Sequence, residues 1–423
     1  MTASTPGSRS MLLGALIGAV TGIVAHLLWN GTKGLAIAVD YVSVPLGQAF
    51  LRLLFMLVMP IVFAALVMGV CELELGSLAR IAIKTMVYTL VVSFIAVVIG
   101  LTAVNVVQPG RIGSYDVGQG AQASPQQQTV EKSPIELILA IIPDNPIKAV
   151  AQGDMLAWLT FSLIFGIGLS LTRSAGATSL KTTIQGLYDV LMRLINMVLK
   201  LGPVGVGALM FTTTARLGPG ILGSVGAYAA TVIVALAIHM FGIYPLLLWV
   251  LARKNPITFF KQAKDASITA FSTASSTATL PTALRVAEDE LALPRDVSRF
   301  VLTAGATMNQ NGSALFEGVT VLFLAQVYGI DMSIPKQLMV LLICVLAGVG
   351  TAGVPAGTLP VIAMMMRMLE IPAEGLGLIL GVDRLLDMCR TSLNVTGDLV
   401  AAVIVAKGEE KPPPTTAPTP SRM

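Results

Sequence analysis

Charged side chains are scarce in this sequence. Asp, Glu, Lys and Arg make up 12% of its 423 residues, against a hydrophobic share of 55%, and the mean hydropathy is +0.81. Soluble domains carry about 25% charged residues, so this composition excludes one and puts the chain in the membrane class. Histidine is rarer still, with two copies. The three cysteines, Cys71, Cys344 and Cys389, lie far apart with no metal spacing or paired framework, and read as reduced packing residues. No nucleotide-binding loop, zinc cluster or Ser/His/Asp arrangement occurs, which leaves an ATPase or an intramembrane hydrolase without support and points away from an enzyme. The formal charge is only +4, and the basic residues follow bilayer topology rather than a nucleic-acid patch. Neither a nucleic-acid partner nor an organic cofactor is expected.

What the chain does have is apolar runs, enough for many spans of roughly 20 residues each. They fall near 11–38, 44–70, 81–107, 155–173, 185–214 and 222–252, with an amphipathic entry to the fourth at 134–151. The stretch 11–29 follows Arg9 as a signal peptide would, but no small-residue cleavage site comes after it, so it is expected to be the first span. Arg80, Lys84, Arg173, Lys181, the cluster Arg253, Lys254, Lys261 and Lys264, and Lys407 with Lys411 share one side if the spans alternate. Both termini are then cytoplasmic. The Gln-rich segment 108–133 reads as an external loop and the tail 408–423, with PPPTTAPTP, as a disordered end. Short loops and plain termini suit a bacterial inner membrane, with lipid around the spans.

Beyond Asn255 the apolar runs are broken by small and polar clusters. FSTASSTATLP at 271–281 and AGVGTAGVPAGTLP at 347–360 share Thr-Leu-Pro, which suggests two broken hairpins of an inverted-repeat transporter meeting at mid-membrane. The alternative is a pair of short loops between ordinary spans. MNQNGSALFEG at 308–318 sets three amides and Glu317 inside apolar sequence. In the last run, Asp383, Asp387, Arg390, Asn394 and Asp398 are spaced four, three, four and four residues apart, with Thr391 at the edge of the same helical arc. A charge at mid-bilayer costs at least about 2.5–3.5 kcal/mol, so the stripe must face protein, water or a substrate. One reading has Asp383, Asp387 and Arg390 pairing with one another to hold helices together. The other takes the planar fork of Arg390 as a carboxylate site and Asp387, one turn earlier, as an ammonium site, which describes a pocket for an acidic amino acid.

Four stretches, DRLLDMCRTSLNVTGD, FSTASSTATLP, NGSALFEGVTVLFLAQV and GTAGVP, closely resemble the glutamate/aspartate transporter family of dicarboxylate/amino acid:cation symporters, in order over nearly the whole chain. The resemblance points to the proton/glutamate-aspartate branch. It implies an all-α polytopic fold of eight transmembrane helices plus two re-entrant helical hairpins, built as inverted repeats, working as an elevator and assembled as a homotrimer. The implied division is 1–80 for scaffold helices 1–2, 81–107 for transport-domain helix 3, 108–133 for the external loop and 134–214 for scaffold helices 4–5. It continues with 215–254 for helix 6, 255–292 for the first hairpin, 293–330 for a broken helix 7, 331–370 for the second hairpin as gate, and 371–407 for helix 8.

By that resemblance Arg390 binds the substrate side-chain carboxylate, Asp387 its amino group, and Asn394 and Thr391 the remaining polar groups. Ser276, Ser313, Val354 and Thr358 complete the pocket. Arg390 argues against the neutral amino acid branch and Asp387 against the plain dicarboxylate branch. The chain departs from the family pattern at Ala274, where some members carry arginine that Arg384 would replace, and at 356–360, which is less Gly-rich than the usual tip.

The coupling ion is addressed by a second set of residues. Sodium-coupled members read Asn-Met-Asp-Gly-Thr where this chain has Asn309, Gln310, Asn311, Gly312 and Ser313, and a threonine where it has Val92. An amide offers a dipole but no charge and a methyl cannot ligate, so the site of Thr89, Val92, Gln310 and Asn311 is expected to be degenerate for sodium. Gly305, Asn309, Asn394 and Asp398 would keep a residual sodium site. Glu317 stands where proton-translocating relatives have glutamate. Removal from water disfavours the charged carboxyl, which suits a group that loads and releases a proton, although a permanently protonated hydrogen-bond donor is the other reading. The expectation is proton-coupled uptake of L-aspartate or L-glutamate with sodium-independent binding; the alternative is a sodium-coupled symporter. A channel lined by the same stripe and a transport-dead amino acid sensor are the other function classes. His26 and His239, each alone in an apolar span, are expected to be satisfied packing histidines.

Overall fold

A computed structural model describes residues 6–72, 79–112, 142–152, 155–349 and 357–407, and every regular element among them is helical. Helices satisfy their backbone groups internally, as a lipid environment demands. The first half comprises α1 (Pro6–Trp29), α2 (Lys33–Ala38), α3 (Val44–Glu72), α4 (Ala79–Val107), α5 (Pro146–Gln152), α6 (Met155–Leu171), α7 (Ala175–Lys200) and α8 (Gly202–Leu217). A π-helical turn at Val39–Ser43 joins α2 to α3, so one continuous apolar stretch runs over Lys33–Cys71. Among the described residues four helical stretches are long and apolar enough to cross a membrane: this one, Arg80–Arg111, Gly220–Ala252 and Asp383–Ala406. The protein is an integral membrane protein by that measure.

Two sequence-based boundaries need correction. The run 11–38 is not one span, because Asn30, Gly31 and Thr32 form a turn in which Gly31 takes φ +77° and the Thr32 hydroxyl accepts from the Leu35 N–H at 3.3 Å to start α2. The run 185–214 bends by 57° between α7 and α8. Pro203 at the start of α8 has no N–H to continue the α7 ladder, a local break that the apolar character on both sides conceals.

The α1–α8 contact is the most extensive between helices in the first half. Gly14, Gly18 and Gly22 repeat every fourth residue on α1, and a Cβ on any of them would overlap α8 at the carbonyl of Pro203, the carbonyl of Gly207 and the Thr214 hydroxyl. Small residues at this spacing let two membrane helices touch backbone to backbone. His26 extends the seam, its Nδ1 lying 2.8 Å from the Ala215 carbonyl oxygen.

The second half begins with α9 (Gly220–Ile238) and α10 (Tyr244–Leu247), the latter flanked by π-helical turns at His239–Ile243 and Leu248–Ala252. It continues through α11 (Pro256–Thr273), α12 (Ser276–Arg285), α13 (Arg295–Met308), α14 (Asn311–Val327), α15 (Ile334–Gly348), α16 (Leu359–Met368), α17 (Leu376–Leu380) and α18 (Asp383–Ala406). The Asn255 side chain caps α11 at the Ile257 N–H, 2.9 Å, with Pro256 as its first residue. Ala274, at φ +49°, ends it. Gln262 then pairs with the Glu290 carbonyl at 2.6 Å, Asp265 with Arg285 at 3.1 Å and Thr273 with Thr279 at 3.0 Å. The rising numbers on one side meet falling numbers on the other, so α11 and α12 form an antiparallel helical hairpin. α15 and α16 also pack together, with Cys344 Sγ 3.8 Å from Met365 Sδ. Between the two pairs, α13 and α14 are separated by Asn309 and Gln310, and α14 and α18 are buried along most of their length, in contact with each other and with α4.

The seam makes a direct prediction. Gly18→Leu, which forces α1 off α8, should cost about 1–3 kcal/mol or more and lower the thermal midpoint of the detergent-purified protein. Gly223→Ala, where nothing lies within 4 Å of an added Cβ, should unfold with the unmodified protein. Equal midpoints for both variants would show that the seam does not hold the fold.

Candidate functional site

The α18 stripe turns inward as a unit: Asp383, Asp387, Arg390, Thr391, Asn394 and Asp398 are all buried. Arg390 organises its first two turns. Its Nε lies 3.1 Å and its Nη2 2.9 Å from Asp387 Oδ1, its Nη1 donates to Asp383 Oδ1 at 3.1 Å, and its guanidinium carbon sits 4.1 Å from the centroid of the Phe316 ring on α14. The pairing reading of these three residues therefore describes real contacts. It uses only three of the five guanidinium N–H donors, however, and leaves one on each terminal nitrogen, which is the fork that grips a carboxylate. Arg384 approaches Asp387 only to 4.0 Å and is the more exposed of the two arginines.

The α13–α14 break lies against the next two turns of α18. Asn309 donates from Nδ2 to Asp398 Oδ1 at 2.8 Å, the Gly312 N–H donates to Asn394 Oδ1 at 2.7 Å, and Asn394 Nδ2 reaches Gln310 Oε1 at 2.6 Å and Ser313 Oγ at 3.3 Å. Ser313 and Asn394 are thus brought together with Arg390 and Thr391 along one helix face. Ser276 opens α12 and Thr358 precedes α16; the hydroxyls of both are buried and have no hydrogen-bond partner among the described residues. Helix α12 packs on α18 and α16 on α14. Val354 lies outside the described residues, as do the hairpin tip 350–356, most of the external loop and the tail.

The two sodium sets fare differently. Gly305, Asn309 and Asp398 meet: a Cβ on Gly305 would come within 2.5 Å of Asp398 Oδ1, and Asn309 Oδ1 is buried and accepts no hydrogen bond among the described residues. A carboxylate beside an open amide oxygen fits a hard monovalent cation. The fourth member, Asn394, accepts the Gly312 N–H at its Oδ1. Thr89, Val92, Gln310 and Asn311 do not share one set of contacts. The Gln310 amide turns to Asn394 and to the Ala306 carbonyl at 2.9 Å, whereas Asn311 turns to α4 and α10, and the buried Thr89 hydroxyl has no hydrogen-bond partner among the described residues. Glu317 is fully enclosed on α14, within electrostatic range of Cys344 on α15.

Some participants carried no role in the sequence. Asp383 had a role only in the pairing reading and none in the substrate pocket. Phe316, Ser93 and Tyr244 are residues that only the fold brings to the site. Tyr244 and His239 are neighbours in the polar minority of an apolar run, and that was their available signal. His239 departs from expectation: it is buried, stands edge-on to Tyr244 with ring centroids 4.9 Å apart, and neither ring nitrogen has a hydrogen-bond partner among the described residues.

Comparison with known proteins supplies an independent view. The model of the sodium:dicarboxylate symporter family matches residues 8–408. The proton/sodium-glutamate symport protein of Bacillus subtilis is 33% identical over 403 residues, covering 93% of this chain and 91% of the relative. The proton/glutamate-aspartate symporter of Escherichia coli is 33% identical over 413 residues, covering 95% and 92%. A C4-dicarboxylate transport protein of Azorhizobium caulinodans is 32% identical over 373 residues, covering 86% and 82%.

Asp383 can be tested as the residue that orients the guanidinium. Asp383→Asn removes one charge-assisted bond of about 1.5–3 kcal/mol, and should weaken acidic amino acid binding roughly tenfold by isothermal titration. Unchanged affinity would mean that Asp387 and Phe316 hold Arg390 alone.

Proposed function

We propose, from the premise that this chain belongs to the sodium:dicarboxylate symporter family, that it is a secondary active symporter for L-aspartate and L-glutamate, coupled to protons and binding its substrate without sodium. The observation that carries the substrate is the buried Arg390–Asp387 pair. The free edge of Arg390 takes the side-chain carboxylate and Asp387 takes the ammonium, whereas a plain dicarboxylate would bring a second carboxylate toward Asp387 with no ammonium to offset it. Ser276, Ser313, Val354, Thr358, Thr391 and Asn394 surround the amino acid in this reading. The names of the Bacillus and Escherichia relatives, both glutamate symporters, support it.

Coupling rests on Glu317 as proton carrier. It is the carboxyl of α14, fully enclosed, in a helix whose break carries Gln310 and Asn311 rather than an acid. A proton on Glu317 neutralises the one charge that this helix would otherwise drag through the protein. The second reading, sodium-coupled uptake, is favoured by one observation, the open Asn309 oxygen beside Asp398. The proposed architecture is eight transmembrane helices and two re-entrant hairpins in a trimer at the cell inner membrane, both termini cytoplasmic. Helices α1–α3 and α6–α8 form the scaffold, and α4 with α9–α18 form an elevator that carries the site.

Purified protein in proteoliposomes should accumulate labelled L-aspartate and L-glutamate under an imposed proton gradient in sodium-free buffer, saturably and stereoselectively. Uptake driven by sodium alone and indifferent to the pH gradient would establish the second reading. Glu317→Gln should abolish proton-driven net uptake while leaving homoexchange. Net uptake that survives the substitution removes Glu317 from the role.

A further inference from the structure

The α13–α14 break is where a buried helix pair loses its backbone ladder. The last carbonyls of α13 and the first N–H groups of α14 have no partners within their own helices, and the C-terminal end of α13 carries partial negative charge. Some positive or donating group must meet those carbonyls at this depth. Here side-chain amides meet one carbonyl at the end of α13 and one N–H at the start of α14. Gln310 Nε2 binds the Ala306 carbonyl at 2.9 Å while its Oε1 accepts from Asn394 at 2.6 Å, and Asn394 Oδ1 returns to accept the Gly312 N–H at 2.7 Å. Asn311, 0% exposed, makes a second bridge. Its Oδ1 accepts from the Ser93 hydroxyl at 2.7 Å, its Nδ2 donates to the Tyr244 hydroxyl at 3.2 Å, and that hydroxyl donates onward to the Leu393 carbonyl at 3.3 Å.

Every step has a defined direction. Ser93 gives to Asn311, Asn311 gives to Tyr244, and Tyr244 gives to α18, so one neutral chain of hydrogen bonds ties α4, α14, α10 and α18 together. An amide at position 311 accepts at one end and donates at the other without charge. A carboxylate there would accept from both hydroxyls, reverse the Tyr244 bond and leave a buried negative charge.

We infer that the amides of Gln310, Asn311 and Asn394 stand in for a bound cation at this break, so that the substrate pocket on α18 is assembled with no metal ion present. The inference deepens the sodium-independent binding proposed above. Asn394 and Ser313 belong to both the clamp and the pocket face, which is how the clamp acts on substrate. Ser93, Tyr244 and Asn311 are positioning residues in this scheme.

The test uses full-length protein in lipid nanodiscs and titrates L-aspartate binding calorimetrically in choline and in sodium buffers, at alkaline and acidic pH. The unmodified protein should bind equally in choline and sodium. Asn311→Asp should lose about tenfold or more in affinity in alkaline choline, and regain it when sodium neutralises the new carboxylate or when acid protonates it back to a donor. Tyr244→Phe, which removes the link but adds no charge, should weaken binding by severalfold in all buffers with no rescue by sodium. Size-exclusion profiles identical to the unmodified protein exclude misfolding. Asn311→Asp binding at full affinity in alkaline choline would overturn the clamp, and so would a loss that neither sodium nor acid repairs. Unmodified protein that binds only in sodium would overturn it too. If binding in choline is intact but transport follows a sodium gradient alone, the coupling reading fails and the clamp stands.

Discussion

A helix interrupted inside a membrane protein exposes backbone charge where no solvent can answer it, and the rest of this molecule is arranged around one such interruption. Each buried polar group left unmade costs about 1–3 kcal/mol, and the two helix ends at Asn309–Gln310 offer several at once. Gln310 meets the Ala306 carbonyl and Asn394 the Gly312 N–H, and the second of these bonds brings α18, the helix with the ionisable stripe, into register with α14. Asp398 takes Asn309, Asn394 takes Gln310 and Gly312, and Arg390 lies over Phe316 two turns further along. The face proposed for substrate and the helix break are one hydrogen-bonded body.

The electrostatics follow the same economy. Asp383 and Asp387 hold a fully enclosed guanidinium by its inner edge, which keeps the cation desolvated but compensated and its outer edge aligned. A triad of this kind contributes little to fold stability, since desolvation of three charges offsets their attraction. Its value is geometric, because the fork cannot rotate while both acids hold it.

Much of this was legible in the sequence, for identifiable reasons. The stripe of α18 announces itself because five ionisable or amide residues recur at helical spacing in an apolar run, and the break announces itself because three amides in succession have no place in a buried helix. What stayed hidden depends on distance along the chain. Asn311 meets Ser93 and Tyr244 across 218 and 67 residues, and no local pattern joins them. The bend between α7 and α8 was hidden differently: Gly202 and Pro203 mark it, but hydrophobicity continues through them and a search for apolar length reads straight across. The Asn30–Gly31–Thr32 turn was lost in the same way.

The two π-helical turns on either side of Tyr244 bear on how this site can change over time. A π turn accommodates one residue more than the α-helical register, and one residue corresponds to about 100° of rotation about the helix axis. The aim of Tyr244 toward α14 and α18 is therefore set by the number of residues between Ile238 and Arg253 as much as by their identity. Within that window the exposed apolar side chains, Phe241, Leu246 and Trp249 among them, are free to drift in sequence. A single-residue insertion or deletion is a different kind of event, because it would swing the tyrosine off the asparagine while leaving the composition of the span unaltered.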